Sequence, residues 1–307
     1  MKTTPVTPAD LIASVLALPP IARLPDGRIN QPGSARLVEW LEAGGITTFC
    51  YGGIANFFNA RVSEYSALLD LIETIAPADA WVIPTIGPDF GKAMDQIAIL
   101  KGRDFPTAML LPFSPVMPAG VASGLRRMAD AFGRPLMLFF QSADYLKPND
   151  LAALVADGVV CTIEFGIHGT SATENPFLSE LLDLVGDASH IIDARGEPSI
   201  VTTASFGLKG FTSGMSVIAP RISTAILAAV KAGDLKEAAR LREHFVPLGV
   251  LRAAHSFVAV LQAAVGLAGI VEAGPIGPFY ADITDPAILR EIERVSNVLK
   301  TADATLP

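Results

Sequence analysis

Residues 107–140 read TAMLLPFSPVMPAGVASGLRRMADAFGRPLMLFF. The two ends, 107–111 and 136–140, are short apolar runs without alternation, the pattern of a parallel strand covered on both faces. Between them Val121, Leu125, Met128 and Phe132 recur at three- and four-residue steps, which predicts an amphipathic helix. Strand, helix and strand in this order make a crossover unit, the connection that a parallel pair requires.

The unit repeats along the chain. Similar runs lie at 14–18, 47–51, 80–84, 159–163, 190–193 and 210–212, with helix-like stretches at 35–43, 63–76 and 178–185. Their starts are about 20–35 residues apart, the length of a strand plus a crossover helix. Eight units predict an α/β fold, a (β/α)8 TIM barrel. An open doubly wound sheet fits less well: its glycine fingerprint after the first strand is missing, and Pro19 and Pro20 stand there. After Pro220 the strands stop, and 221–231, 235–245, 248–270 and 286–301 read as helices. The expected organisation is a barrel over 1–220 and a C-terminal helical subdomain over 221–307.

Half of the 307 residues are apolar and 18% are charged, so a large core is expected. The net charge is −8 with no basic stripe, which argues against nucleic acid as a partner. Cys50 and Cys161 fall inside apolar runs and are expected as buried free thiols. Two distant cysteines and four histidines give no metal-ligand spacing, and no metal or other cofactor is expected. The first ten residues lack the apolar stretch of a signal peptide, and no run is long enough to span a membrane. The expectation is a soluble, cytoplasmic protein.

The order of punctuation resembles the dihydrodipicolinate synthase / N-acetylneuraminate lyase family, the pyruvate-dependent aldolases. Leu18-Pro19-Pro20-Ile21 followed by Asp26-Gly27-Arg28-Ile29-Asn30 is similar to that family's T-P-F and D-G-x-I-D opening. Gly52-Gly53-Ile54-Ala55-Asn56 stands where the family has G-T-T-G-E, and Pro135 to Phe140 resembles its fifth strand, P-I-x-L-Y-N. Residues 206–214 and Val217-Ile218-Ala219-Pro220 resemble its G-x-x-G-x-I-S and N-x-x-P segments. The resemblance implies lyase chemistry on 2-keto acids. It also implies a sixth-strand lysine that forms an imine with pyruvate, a fifth-strand tyrosine that relays protons with the turn's threonines, and an arginine that holds a carboxylate. A homodimer or homotetramer is the implied assembly.

That machinery does not carry over residue by residue. The sixth strand reads Val160-Cys161-Thr162-Ile163-Glu164-Phe165, so the lysine falls on Ile163 or Glu164, and neither is an amine. The tyrosine position is Phe139, which has no hydroxyl. The two threonines become Gly53 and Ile54, the glutamate becomes Asn56, and Asp144 stands at the arginine's place. Five losses on one mechanism argue that the imine route is gone. Lys209 precedes the eighth strand and belongs at the barrel's bottom. Lys147 and the remaining lysines read as loop and helix-surface groups.

Active sites of such barrels gather at the carboxyl ends of the strands. Those ends offer Tyr51, Gly52, Gly53, Asn56, Thr85, Ser114, Phe139, Gln141, Glu164, His168, Asp193, Arg195, Glu197, Thr212 and Ser213. Glu164 as general base beside Arg195 as anion clamp is the catalytic arrangement these residues suggest; a plain inter-strand ion pair is the bland alternative. His168, near Glu174, is a third catalytic candidate, with an exposed loop histidine as its alternative. Tyr51, Gly52, Gly53, Asn56, Phe139, Gln141 and Thr212 are the candidates for holding a small polar, carboxylate-bearing ligand. The expected function is a lyase of this superfamily without imine chemistry; alternatives are a ligand-binding pseudoenzyme and a structural partner subunit.

Overall fold

The computed structural model describes residues 1–112, 116–171 and 174–306. Helix α1 (Pro8–Ala13) precedes eight strand–helix units. The first four are β1 (Leu16–Ala17) with α2 (Gln31–Ala43), β2 (Thr48–Tyr51) with α3 (Val62–Thr74), β3 (Trp81–Ile86) with α4 (Phe90–Leu100), and β4 (Met109–Leu110) with α5 (Pro118–Phe132). Then come β5 (Leu136–Phe140) with α6 (Pro148–Ala156), β6 (Val160–Phe165) with α7 (Pro176–Val185), β7 (Ile191–Asp193) with α8 (Glu197–Ala204), and β8 (Thr212–Ser213) with α9 (Pro220–Ala232). All pairings are parallel, running from β7 back to β1 and on to β8. A bridge between Asp193 and Phe211 brings β8 against β7 and closes the ring. The fold is the (β/α)8 barrel that the apolar runs predict.

Local chemistry sets the helix ends. Asn30, Asp89, Asn175 and Asp234 accept N-cap hydrogen bonds, which satisfy first-turn amides. Gly133 ends α5 at φ 75, a left-handed conformation that side chains resist. The core separates into two layers. Phe49, Val82, Leu138, Ile163 and Ile191 pack between sheet and helices. Leu16, Cys50, Ile83, Met109, Met137 and Ile192 fill the barrel interior. Cys50 and Cys161 are free and buried, as expected.

Helix α9 lies against α8, and its Thr224 hydroxyl donates to the Gly44 carbonyl at the end of α2. By these contacts it takes the eighth place in the helical ring, although the expected boundary at 220/221 would place it in the subdomain. Beyond it lie α10 (Leu235–Arg242), α11 (Val246–Ala254), α12 (Ala259–Leu267) and α13 (Pro286–Asp303). The expected single helix over 248–270 is broken: α11 ends at His255, and the Ser256 hydroxyl receives the Ala259 amide at the start of α12. No described helix is long and apolar enough to cross a membrane.

Candidate active site

Around the barrel the pairings advance by one residue per strand, so side chains from alternate strands share a level. Cys50, Met109, Glu164 and Thr212, from the even strands, form the central level. Leu18, Thr85, Phe139 and Ala194, from the odd strands, form the level above it, toward the carboxyl ends. Gly52 lies higher still: a Cβ there would meet Thr85, Met109 and Leu111.

Glu164 is the charged group of this lumen. It is 3% exposed, and its Oε2 has no hydrogen-bond partner. Burial pushes its pKa up to about 7; the Thr212 hydroxyl draws it down and the charge of Asp193 pushes it further up. No cation contributes to that balance. The choice left open at the sixth strand is therefore resolved. Ile163 packs outward against the helices, and Glu164 faces the lumen beside Phe139, its partner in register. A carboxyl and a phenyl ring thus stand side by side on the fifth and sixth strands.

The expected partnership between Glu164 and Arg195 does not form. Along β7 Ile192 faces inward, so alternation turns Asp193 and Arg195 to the outer face of the wall. There Asp193 accepts from the Ser199 hydroxyl at 2.6 Å, the Arg195 backbone N–H at 2.6 Å, and the Thr203 hydroxyl. Arg195 Nη1 instead lies 2.9 Å from His168 Nδ1. Among the described residues no hydrogen bond or ion pair joins Glu174 to His168; the Glu174 backbone carbonyl accepts from the Thr170 hydroxyl and the Ser171 amide. Glu197 is buried, with its Oε1 bonded to the Ser213 and Ser223 hydroxyls.

Other candidates scatter. Tyr51 points into the helix-facing core rather than the lumen, because only Thr48 and Cys50 of β2 face inward. Asn56 adopts a left-handed backbone, φ 60, and its Nδ2 donates to the carbonyls of Ile276 and Pro278. It fastens the loop before α13 and borders an outer groove of about 750 Å³. Gln141 and Asp144 are exposed at the rim, and Ser114 lies outside the described residues.

Three features escape a reading by residue type. The amides of Gly53, Ile54 and Ala55, in the turn after β2, donate no hydrogen bond among the described residues. Lys92, in the first turn of α4, donates to the Phe58 carbonyl at 2.8 Å, and burial lowers its pKa. Its position just past β3 is the signal that places it at the top of the barrel. Deeper in the lumen, the hydroxyls of Thr48 and Thr162 have no partner; inward facing follows from strand parity only once register is known.

A model of the dihydrodipicolinate synthetase family matches residues 113–286, more than half of the chain. A protein of Streptomyces coelicolor named probable 5-dehydro-4-deoxyglucarate dehydratase 2 is 24% identical over 286 residues, covering 90% of this chain and 86% of that one. A protein of the same name from Streptomyces avermitilis is 25% identical over 282 residues, covering 89% and 82%. Among solved structures, dihydrodipicolinate synthase from Oceanobacillus iheyensis superposes with a TM-score of 0.83 at 21% identity, covering 94% of this chain and 96% of that one. The Bacillus clausii enzyme gives 0.83 at 19%, covering 96% and 98%. This barrel belongs to the dihydrodipicolinate synthetase family.

Proposed function

We propose that this chain is an acid–base lyase that acts on a small carboxylate-bearing metabolite without forming an imine. The observation that carries the reading is Glu164: a lumenal carboxyl with an unpartnered oxygen and a pKa raised to about 7. Near neutrality such a group is populated in both forms, so it can take a proton or give one. Elimination of water from a hydroxylated keto acid needs both operations: a proton leaves the carbon beside the carbonyl, and the departing hydroxyl must be protonated. The relatives named as dehydratases favour this carbon–oxygen version over carbon–carbon cleavage. Phe139 supplies an apolar wall beside Glu164, and the Thr212 hydroxyl draws its pKa down. The N–H groups of Gly53, Ile54 and Ala55 suit a substrate carboxylate. Arg195 and His168 lie across the barrel wall and take no part.

The test has two arms. Incubation with pyruvate and borohydride, read by intact mass, is expected to leave the chain unmodified; a stable adduct would overturn the reading, and peptide mapping would point first to Lys92. Substrate loss is followed by proton NMR over a panel of 2-keto and deoxy sugar acids, comparing the wild type with Glu164→Gln. Turnover that survives the substitution removes Glu164 from the chemistry. Binding of a sugar acid with no turnover by the wild type would make the chain a binding protein instead.

The assembly this reading expects is a homodimer or homotetramer. Met117, 77% exposed at the start of α5, and the exposed Phe90 on the adjacent α4 support an apolar contact between copies. Light scattering after size exclusion tests it; a monomer at all concentrations is the contrary result.

A further inference from the structure

Outside the lumen, a cavity of about 260 Å³ opens between the loop after β6 and helix α8. It holds several times the volume of a water molecule, about 30 Å³. His168, Asn175, Arg195, Ser199, Thr202 and Phe206 are among its lining. Glu164 is not, and the wall made by β6 and β7 separates the two places.

Arg195 is the one permanent charge in that lining. Its Nε is buried and has no partner, and the guanidinium forms no ion pair among the described residues. The nearby carboxylate, Asp193, is already occupied by Ser199, Thr203 and the Arg195 backbone. The guanidinium contact of Arg195 is to His168 Nδ1. Since guanidinium only donates, Nδ1 accepts, which leaves the proton of a neutral imidazole on Nε2. The cavity therefore presents donors and one positive charge that forms no ion pair among the described residues, and no acid is in its lining.

We propose that this cavity is a second ligand site, separate from the lumen, that takes a small oxyanion through the Arg195 guanidinium. A carboxylate or a phosphate group supplies the chemistry required: two oxygens that accept from the planar fork. The proposal does not depend on the reaction assigned to Glu164.

Calorimetric titration with inorganic phosphate and, separately, with malonate tests it on the full chain. Saturable binding of at least one probe, with one site per chain, is the expected result for the wild type. Arg195→Ala should weaken it by at least about tenfold, the loss of a charge-assisted pair, and Arg195→Lys by less. Glu164→Gln should bind as the wild type does. Should Arg195→Ala fail to fold, Thr202→Asp decides: a carboxylate placed in the cavity wall should abolish anion binding while Arg195 stays in place. The proposal is overturned by a wild type that takes up neither anion. Undiminished binding in Arg195→Ala or Thr202→Asp overturns it too, as does binding lost on Glu164→Gln, which would put the anion in the lumen. The tighter of the two probes tells carboxylate from phosphate.

Discussion

Glu164→Gln gives the most direct view of the lumen, through the pH dependence of stability. The folded pKa of about 7 lies above the ordinary 4.5. Below 4.5 the carboxyl is protonated in both states and costs the fold nothing on this account. As pH rises, the unfolded chain ionises first, and the native state, which resists ionising, loses stability relative to it. The loss starts near 4.5 and is complete above about 7. At 1.36 kcal/mol per pKa unit, a rise from 4.5 to about 7 corresponds to about 3 kcal/mol. Urea unfolding of the wild type and Glu164→Gln at steps from about pH 5 to about pH 8 measures it. The glutamine amide brings its own burial penalty, but that penalty does not change with pH, so the difference in slope is the quantity to compare. Glu197, whose pKa burial also raises, contributes alike to both proteins and cancels, while the Asp193 charge that acts on Glu164 is part of the difference measured. The wild type should lose about 2.5 kcal/mol relative to Glu164→Gln across that range, the rest of the loss lying below about pH 5. Parallel curves would mean that Glu164 ionises normally, and the acid–base reading would fall with them.

Three further outcomes follow from the geometry. Asp193→Asn leaves an amide facing two hydroxyls and a backbone N–H that now bond to the carboxylate, so it should cost about 2 kcal/mol of unfolding free energy and speed hydrogen exchange in α8; unchanged stability and exchange would contradict the network. Thr48→Val exchanges an unpartnered buried hydroxyl for a methyl and should leave stability unchanged or raise it by about 1 kcal/mol, whereas a clear drop in the unfolding midpoint would reveal a bonded hydroxyl. Cys50 and Cys161 are buried, with thiol pKa values pushed up by desolvation, to about 11 for Cys161, so a thiol-specific disulfide reagent should react with neither in the native protein and with both in denaturant.

Much of the barrel is legible because its strands are buried on both faces and spell themselves out as apolar runs. Several helices are not. Helix α8 reads Glu-Pro-Ser-Ile-Val-Thr-Thr-Ala, β-branched at its centre, which by propensity suits a strand. Its helical form is fixed from outside, by Ser199 and Thr203 bonding back to Asp193. The five departures expected from the family resemblance are read from residue type alone. Which residues share a space is not, because that depends on parity. The register shift between Leu136 and Met137 moves the pairing of β6 by one residue, so counting along the sequence leaves Ile163 and Glu164 equally placed. Likewise Glu164 and Arg195 stand on adjacent strands, yet they face opposite sides of the wall, and only the inward Ile192 reveals it.

A carboxyl at this lumenal position also has a physical logic. A buried charge persists when it is paired, or when it can discharge by shifting its pKa. The lumen around Glu164 holds no cation, and its neighbours on the same level are a thiol, a thioether and a hydroxyl. Glu164 is thus tolerated through its proton rather than through a partner. That places a transferable proton at the centre of the barrel, beneath the mouth where the strands end. A leucine or methionine there would pack without any such penalty. Packing therefore gives no reason for a carboxyl at this position, and proton transfer does. The same raised pKa that weakens the native state above neutrality makes the group useful as an acid or a base, so the cost in stability and the proposed chemistry have one cause.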